Sequence, residues 1–587
     1  MKSMLATNKT AHYQIVLSPE ATEQERYAAS ELRYYLERMT SAIFTVTTEP
    51  SETMIAVGAA AAQLAIADDA LGDDGFVVRT VGSSVGILGG KRGVIYGAYE
   101  FLEALGFRFF TATCEKIPTA PDLPLPEIDT RQVPVLEFRD HNYYEFTNYP
   151  RFSVKSRING YFTPIKEKFG GHVSYAVFCH SFDYLVPPDK YGAEHPEYFA
   201  LINGERKVIR ERSQLCLTNP DVLEIAIESA RRALREHPEA RIMSITQNDW
   251  GEHCECEACR AIDEAEHSPS GTMLRFVNAI AERLEPEFPD VIFDTFAYQY
   301  TRPVPAITRP RKNVCVRLCS IEACFAHPFE TCDDDSRCVT RPDGSKSSFI
   351  TDLTDWGGCC DRMYIWDYTT CFAHYPSPHP NWRVLQPNMR TFIKNNAKGV
   401  FEQANGASRG GVDLNELRAY VLAKLLWDAE TDVSRHIREF TDEFYGDAAP
   451  YVREYIDFIC DKVELENIHV GFNDNLESEL FRKENTDHLS TLVKRAKQAV
   501  ATDPLRLWRV GKWELSVRWV RLKRNAMLEG VLEPEEANRF FADWQAYGLT
   551  RIDEWVSRET THRALLHGLW RGTEFYEHWS EEGGEEL

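Results

Sequence analysis

Between residues 130 and 410 the chain repeats one pattern, a short apolar run followed by a polar or amphipathic stretch. Eight runs can be read: VLEFRDHN, NGYFT, VSYAVFCHSF, RIMSITQND, VIFDTFAYQY, NVCVRLCSIE, RMYIWDYTT and GVFEQANG. Amphipathic helices lie between several of them; PDVLEIAIESARRALREH precedes the fourth and GTMLRFVNAIAERLEPEF follows it. Strands alternating with helices commit a chain to parallel pairing, because a parallel partner is reached only through a crossover long enough to hold a helix. Eight such repeats in about 280 residues have the length and rhythm of a (β/α)8 TIM barrel. The remaining apolar segment, QLCLTNP, is assigned to a long loop after the third run.

Two further domains flank this α/β barrel, expected over residues 126–410. Residues 1–125 read as a small α/β domain, in which TEQERYAASELRYYLERM opens on a capping box, Thr22 with Glu25. Its apolar face is Ala28, Leu32, Tyr35, Leu36 and Met39. A Gly-rich turn, GGKRG, then enters a second helix; it has neither the Gly-Lys-Ser/Thr ending of a P-loop nor the full G-x-G-x-x-G spacing, so it reads as a tight packing turn. The polar, proline-rich stretch 117–134 is a linker. Residues 411–587 carry successive amphipathic patterns and are expected to form an all-helical C-terminal domain, with a frayed acidic end.

Nearly every run of the barrel ends in hydrogen-bonding or aromatic side chains: Arg139, Asp140, His180, Asn248, Asp249, Tyr298, Tyr300, Glu322, Trp366, Asp367, Tyr368, Glu402 and Gln403. The C-terminal mouth is where such a barrel keeps its chemistry. Carboxylates, amides and aromatic rings without a nucleotide motif suit a neutral polyhydroxylated ligand. Glycoside hydrolysis asks for two carboxyl groups across such a mouth, and Asp249 and Glu402 lead, followed by Asp367. The net charge of −24 argues against nucleic acid or an anionic membrane as partner. An oligosaccharide is the expected partner, with a homo-oligomer compatible. The N-terminal stretch shows no apolar signal region, so a cytoplasmic location is expected, or a secreted form whose signal has been removed.

No HExxH, EF-hand or nucleotide motif is complete, and neither metal nor cofactor is expected. The stretch after Asp249 carries Cys254, Cys256 and Cys259 in C-x-C-x-x-C spacing, three sulfurs where structural zinc takes four ligands. Cys319, Cys324, Cys332 or Cys338 reach it only from far along the chain. The thiols therefore read as free and packing a loop.

The stretch SITQNDWGEHCECEACRAIDEAEHSPSGTMLRFVNAIAERL, followed by FAYQYTRPVP, resembles the domain of unknown function 4838, the catalytic part of glycoside hydrolase family 163. YIWDYTT, GVFEQ and HPEYFALINGER look like the same family, and RGVIYGAYEFLEALGFRFF is similar to the small domain preceding the barrels of α-glucuronidases and family 20 β-hexosaminidases. The resemblance implies a retaining endo-β-N-acetylglucosaminidase acting on N-glycans, in which the substrate's 2-acetamido group closes to an oxazoline. It implies Asp249 as proton donor and Asn248 as the group orienting the acetamide, with a tyrosine (Tyr298, Tyr300 or Tyr368) on the acetamide oxygen and Trp366 stacked on the sugar. Position 248 departs from the acidic pair of family 20. Two alternatives stay open. One is an α-glucuronidase-like hydrolase using Arg139, Arg157 or Arg317 as a uronate clamp; the other is a non-catalytic carbohydrate-binding barrel.

Overall fold

A computed structural model describes residues 3–566 apart from positions 342, 474, 475 and 531, and the acidic C-terminal end lies outside the described residues. The chain forms two compact units. One comprises Met1–His172, Leu414–Ala449 and Thr502–Arg506; the other comprises Val173–Asp413, Pro450–Ala501 and Leu507–Leu587.

The largest sheet of the first unit has six strands: β1 (Gln14–Val16), β2 (Val46–Thr47), β3 (Met54–Val57), β4 (Phe76–Val81), β5 (Ser84–Gly89) and β6 (Asp129–Gln132). They lie in the order β6-β4-β5-β3-β1-β2, with β4 antiparallel to both neighbours and the remaining pairs parallel. Helix α1 (Glu23–Thr40) starts at Thr22, whose hydroxyl accepts from Glu25 N–H while Glu25 accepts from Thr22 N–H. That reciprocal pair satisfies two of the donors every helix start leaves open. Ala28, Leu32, Tyr35, Leu36 and Met39 are all buried, as the 3.6-residue period requires.

The Gly-rich turn into α2 (Gly93–Ala104) is a site of close backbone approach. A Cβ on Gly90 would stand 1.7 Å from the Gly72 carbonyl oxygen, and one on Gly93 1.9 Å from that of Gly75. The Arg92 and Gly93 N–H groups donate to the Asp73 carbonyl at 2.7 and 2.9 Å. The donors an anion would use at this helix start are therefore already taken by backbone.

Strand β7 (Phe138–His141), the first run, belongs to this unit. The second run, NGYFT, forms no strand. Asn159 spends its side chain on the Arg139 N–H (2.9 Å) and the Glu137 carbonyl (2.9 Å), and Gly160 presses so closely on Asp140 that a Cβ would stand 2.0 Å from its carboxyl carbon. One backbone bond, from Asn159 N–H to the Arg139 carbonyl at 3.2 Å, joins the segment to β7.

The second unit is built on five strands: β8 (Ile242–Ser244), β9 (Ile292–Ala297), β10 (Val314–Cys319), β11 (Met363–Tyr368) and β12 (Ala397–Gln403). They are parallel and adjacent in sequence order. Crossovers are helical, as in α3 (Pro220–Glu236), capped by the Asn219 side chain, and α5 (Ser270–Leu284), which follows the short α4 (Glu257–Glu266). The third run joins β8 through one parallel bridge, Tyr175 to Ile242, continued by Ala176 N–H to the Ile242 carbonyl and Ser244 N–H to the Val177 carbonyl. His180 then turns the chain at φ +47° and ends the extended path. The expectation of eight regular strands is thus met in part: among the described residues six of the runs form strands (β7 to β12), the third pairs irregularly and the second forms no strand. QLCLTNP makes only the isolated bridge Phe199–Leu215, consistent with a loop.

The interior of this sheet buries a charge. Arg317, 2% exposed, pairs with Asp294 and donates to the Tyr175 hydroxyl at 2.7 Å. The rings of Tyr175, Phe178, Phe296 and Trp366 surround its guanidinium at 5.0–5.6 Å. Helices Lys483–Ala499 and Pro534–Ala546 belong to the same unit. Among the described residues, no helix is long and apolar enough to cross a membrane.

Candidate active site

The loop leaving β8 carries Asp249 at its exposed turn while Asn248, one residue earlier, is 2% exposed. Gln214 braces the turn from below. Its amide nitrogen donates to the Asn248 and Trp250 carbonyls at 2.9 and 2.7 Å, and its oxygen accepts from Asn248 N–H at 3.0 Å. Both amide protons of Asn248 are spent on Asp183 (2.7 Å) and the Ser213 carbonyl (2.8 Å). Asn248 therefore holds the loop and offers no N–H to a ligand, which corrects the ligand-facing part expected of it.

From the end of β9 the Tyr298 hydroxyl donates to Asp249 Oδ1 at 3.0 Å. Burial and the Asp249 charge push that hydroxyl far up, so it stays a donor at any physiological pH. After β10, Glu322 receives Arg302 at 3.0 Å. At the end of β12, Gln403 accepts from Trp366 Nε1 at 2.7 Å and donates to Glu554 Oε1 at 3.1 Å. Burial, then the Asp249 charge, push the Glu554 carboxyl up to about 7. One carboxylate is exposed and bound by a phenol; its neighbour is half-buried and holds a proton near neutrality. That division of roles is what general-acid chemistry at neutral pH requires.

Asp367 and Glu402 belong elsewhere. Side chains alternate across a strand; Trp366 is bonded to Gln403 and packs on Phe401, so Asp367 and Glu402, paired in register between β11 and β12, project to the opposite face. There Asp367 accepts from the Ser320 hydroxyl, and burial pushes it up to about 6. Burial, followed by the Asp367 charge, drives Glu402 well above its ordinary range, and Glu402 Oε2 has no hydrogen-bond partner. Two adjacent buried carboxyls disfavour each other's charge, so the pair titrates as a unit with both members raised. The expected nucleophilic or stabilising use of Glu402 at the mouth, and the binding part given to Asp367, are corrected by this alternation.

Other expected binding residues are committed to packing. Arg139 is fully buried in the first unit, bonded to Asp74 and to the Arg157 and Leu136 carbonyls, and lies over Trp427. Asp140 accepts from Phe162 N–H beside it. His180 donates from Nδ1 to the Gln247 carbonyl at 2.8 Å. Tyr300 stacks on His253. Trp366 sits among Phe178, Phe296 and Phe401 rather than as an open platform, and Tyr368 packs on Phe325, Phe372 and Phe472.

Residues 109–457 match the family described as domain of unknown function DUF4838, more than half of the chain. The chain belongs to the DUF4838 family. Residues 2–101 of this DUF4838 chain are similar to the glycosyl hydrolase family 67 N-terminus. No curated protein matches the sequence. Among solved structures, a family 115 4-O-methyl-α-glucuronidase with specificity for decorated arabinogalactans aligns over 96% of this chain and 78% of its own at TM-score 0.57 and 13% identity. A family 89 glycoside hydrolase of Clostridium perfringens, bound to GlcNAc-α-1,4-galactose, aligns over 93% and 70% at TM-score 0.50 and 10% identity. At such identities the likeness speaks to fold.

Two features of the DUF4838 chain were not anticipated. Glu554 arrives from a segment read as part of the helical domain. Cys216, on the run taken as a plain loop, joins Cys254, Cys256 and Cys259, bringing four sulfurs within 4.8 Å of one another.

Proposed function

We propose that this protein is a glycoside hydrolase, with Glu554 as proton donor and Asp249 as the ionised carboxylate of the reacting site. The observation that carries the reading is the pair itself: Asp249 fixed by the Tyr298 hydroxyl, and Glu554 raised to about 7 by burial and by that same charge. Cleavage of a glycosidic bond expels an alkoxide, and a carboxylic acid placed at the bond oxygen supplies its proton. The Asp249 charge opposes the positive charge that grows at the anomeric carbon. Relative to the sequence reading, Asp249 passes from donor to stabiliser and Glu554 takes the donor's part.

For substrate we take β-linked N-acetylglucosamine in N-glycan-type oligosaccharides, as the resemblance to glycoside hydrolase family 163 implies. In that chemistry the 2-acetamido oxygen attacks the anomeric carbon with retention, and Asp249 together with Tyr298 orients the acetamide. The uronate alternative lacks a free clamp among the arginines considered for it. Arg139 is bonded to Asp74, Arg157 to Glu100 and Glu103, and Arg317 to Asp294. The test is a panel of aryl N-acetylglucosaminides, aryl glucuronides and released N-glycans, with thiazoline inhibition as the marker of acetamide participation. Turnover of glucuronides alone, or no turnover of any member, contradicts the proposal.

A further inference from the structure

Two side-chain tetrads in the second unit have no part in the proposed reaction. In the first, Cys216, Cys254, Cys256 and Cys259 gather four Sγ atoms, all within 4.8 Å of one another. Four thiolates around zinc, with Zn–S about 2.3 Å, stand about 3.8 Å apart. Cys216 and Cys256 are 3.7 Å apart, far beyond a disulfide bond and close to that tetrahedral edge. Three of the four cysteines are buried, and donors point at the cluster: Leu201 N–H and the Arg206 guanidinium at Cys254 (3.4 and 3.8 Å), and the Thr218 hydroxyl at Cys259 (3.2 Å). Donors aimed at sulfur are what the excess negative charge of a metal-bound tetrathiolate requires.

The second tetrad is Cys324, His327, Cys332 and His469, whose ligand atoms also lie within 4.8 Å of one another. Cys324 Sγ is 3.5 Å from His327 Nδ1, and Cys332 Sγ is 3.7 Å from His469 Nδ1. His469 turns its other nitrogen, Nε2, to Asp333 at 3.3 Å. A histidine with one nitrogen towards thiolates and the other towards a carboxylate is oriented as a metal-ligating histidine is.

We propose that each tetrad is a structural zinc site, with four cysteine ligands in the first and two cysteines plus two histidines in the second. Soft thiolates, alone or with imidazole, in a closed four-ligand set select zinc and leave no open position for chemistry. Each site closes a loop that bears a carboxylate of the mouth. The first ties the chain after Asp249 to the Gln214–Cys216 segment that braces it; the second ties the chain after Glu322 to the segment around His469. Binding is coupled to loss of the thiol protons, so the ions hold these loops in their folded positions. This replaces the reading of the cysteines as simple packing thiols, and it stands whether or not the protein hydrolyses glycosides.

The experiment is elemental analysis of the full-length chain, purified under reducing conditions and dialysed against metal-free buffer. About two zinc ions per chain are expected. Cys216→Ser and His469→Gln should each remove one, and the double variant both. Because these variants can fail to fold, wild-type protein is also titrated with a mercurial while a metallochromic dye reads zinc release; about two equivalents should appear as thiols are blocked. Zinc far below stoichiometry in reduced wild-type protein, with the thiols freely reactive, overturns the proposal. So does iron in place of zinc. One zinc that His469→Gln does not remove, or a Cys324–Cys332 disulfide in the reduced preparation, overturns the second site.

Discussion

Glu554→Gln is expected to abolish the alkaline limb of the pH–rate profile. The ordinary value for such a carboxyl is 4.5, and in the folded protein burial and the Asp249 charge bring it to about 7. At pH 7 a group titrating at about 7 is half protonated, whereas one at 4.5 would be protonated in about 0.3% of molecules. The environment therefore enlarges the supply of active acid about 150-fold, within the range general-acid assistance usually spans. In wild-type protein kcat/KM should fall as pH rises through about 7. Asp249→Asn, which removes a charge raising that carboxyl, should move the limb to lower pH whatever it does to the absolute rate. The linked stability has the same sign: a carboxyl raised in the folded state contributes fully below 4.5 and loses its contribution as pH rises through about 7, so Glu554→Gln should flatten the stability profile there. A limb that persists near pH 7 in Glu554→Gln, or that Asp249→Asn leaves in place, refutes the assignment.

Glu402→Gln should retain activity within a few-fold, because the side chain lies on the face of the sheet opposite Trp366 and Gln403; loss of turnover on every substrate would contradict that placement. Arg317→Met strands Asp294 in a buried site, and urea denaturation should show a loss of about 3–5 kcal/mol, as for other broken buried pairs. Gln214→Leu removes three hydrogen bonds that hold the Asp249 turn, each of the freed backbone groups costing about 1–3 kcal/mol where it stays buried. Its kcat should fall more than its KM rises at temperatures where the chain is still folded; a change in Tm with unaltered kcat would make Gln214 a purely structural brace.

Much of the fold is written in local pattern. The capping box at Thr22 and the apolar face of α1 follow from helical geometry alone, and five of the apolar runs became parallel strands because a buried strand needs little more than an uninterrupted apolar stretch. NGYFT formed no strand; the Asn159 side chain that opens it is tied to the Arg139 N–H and the Glu137 carbonyl, contacts that no periodicity reveals. Asp249, Tyr298 and Gln403 were each read from a single strand end, and the first two are hydrogen-bonded to each other. The pattern was misread where two neighbours on one strand were both assigned to the mouth, although the two-residue alternation forbids Trp366 and Asp367, or Glu402 and Gln403, from facing the same way. Glu554 and Cys216 were beyond reach for another reason. Each meets its partners only through tertiary folding, Glu554 about 150 residues along the chain from Gln403 and Cys216 about 40 from Cys256.

The proposed hydrolysis turns on whether Glu554 protonates the departing oxygen. Comparing kcat/KM for aryl glycosides of graded leaving-group pKa in wild-type protein and Glu554→Gln measures this directly. Wild type should depend weakly on the leaving group. The variant should lose about a hundredfold or more on poor leaving groups and little on the best, since a good leaving group departs without its proton. An equal loss across the whole series would contradict the account, and would assign the proton to another residue.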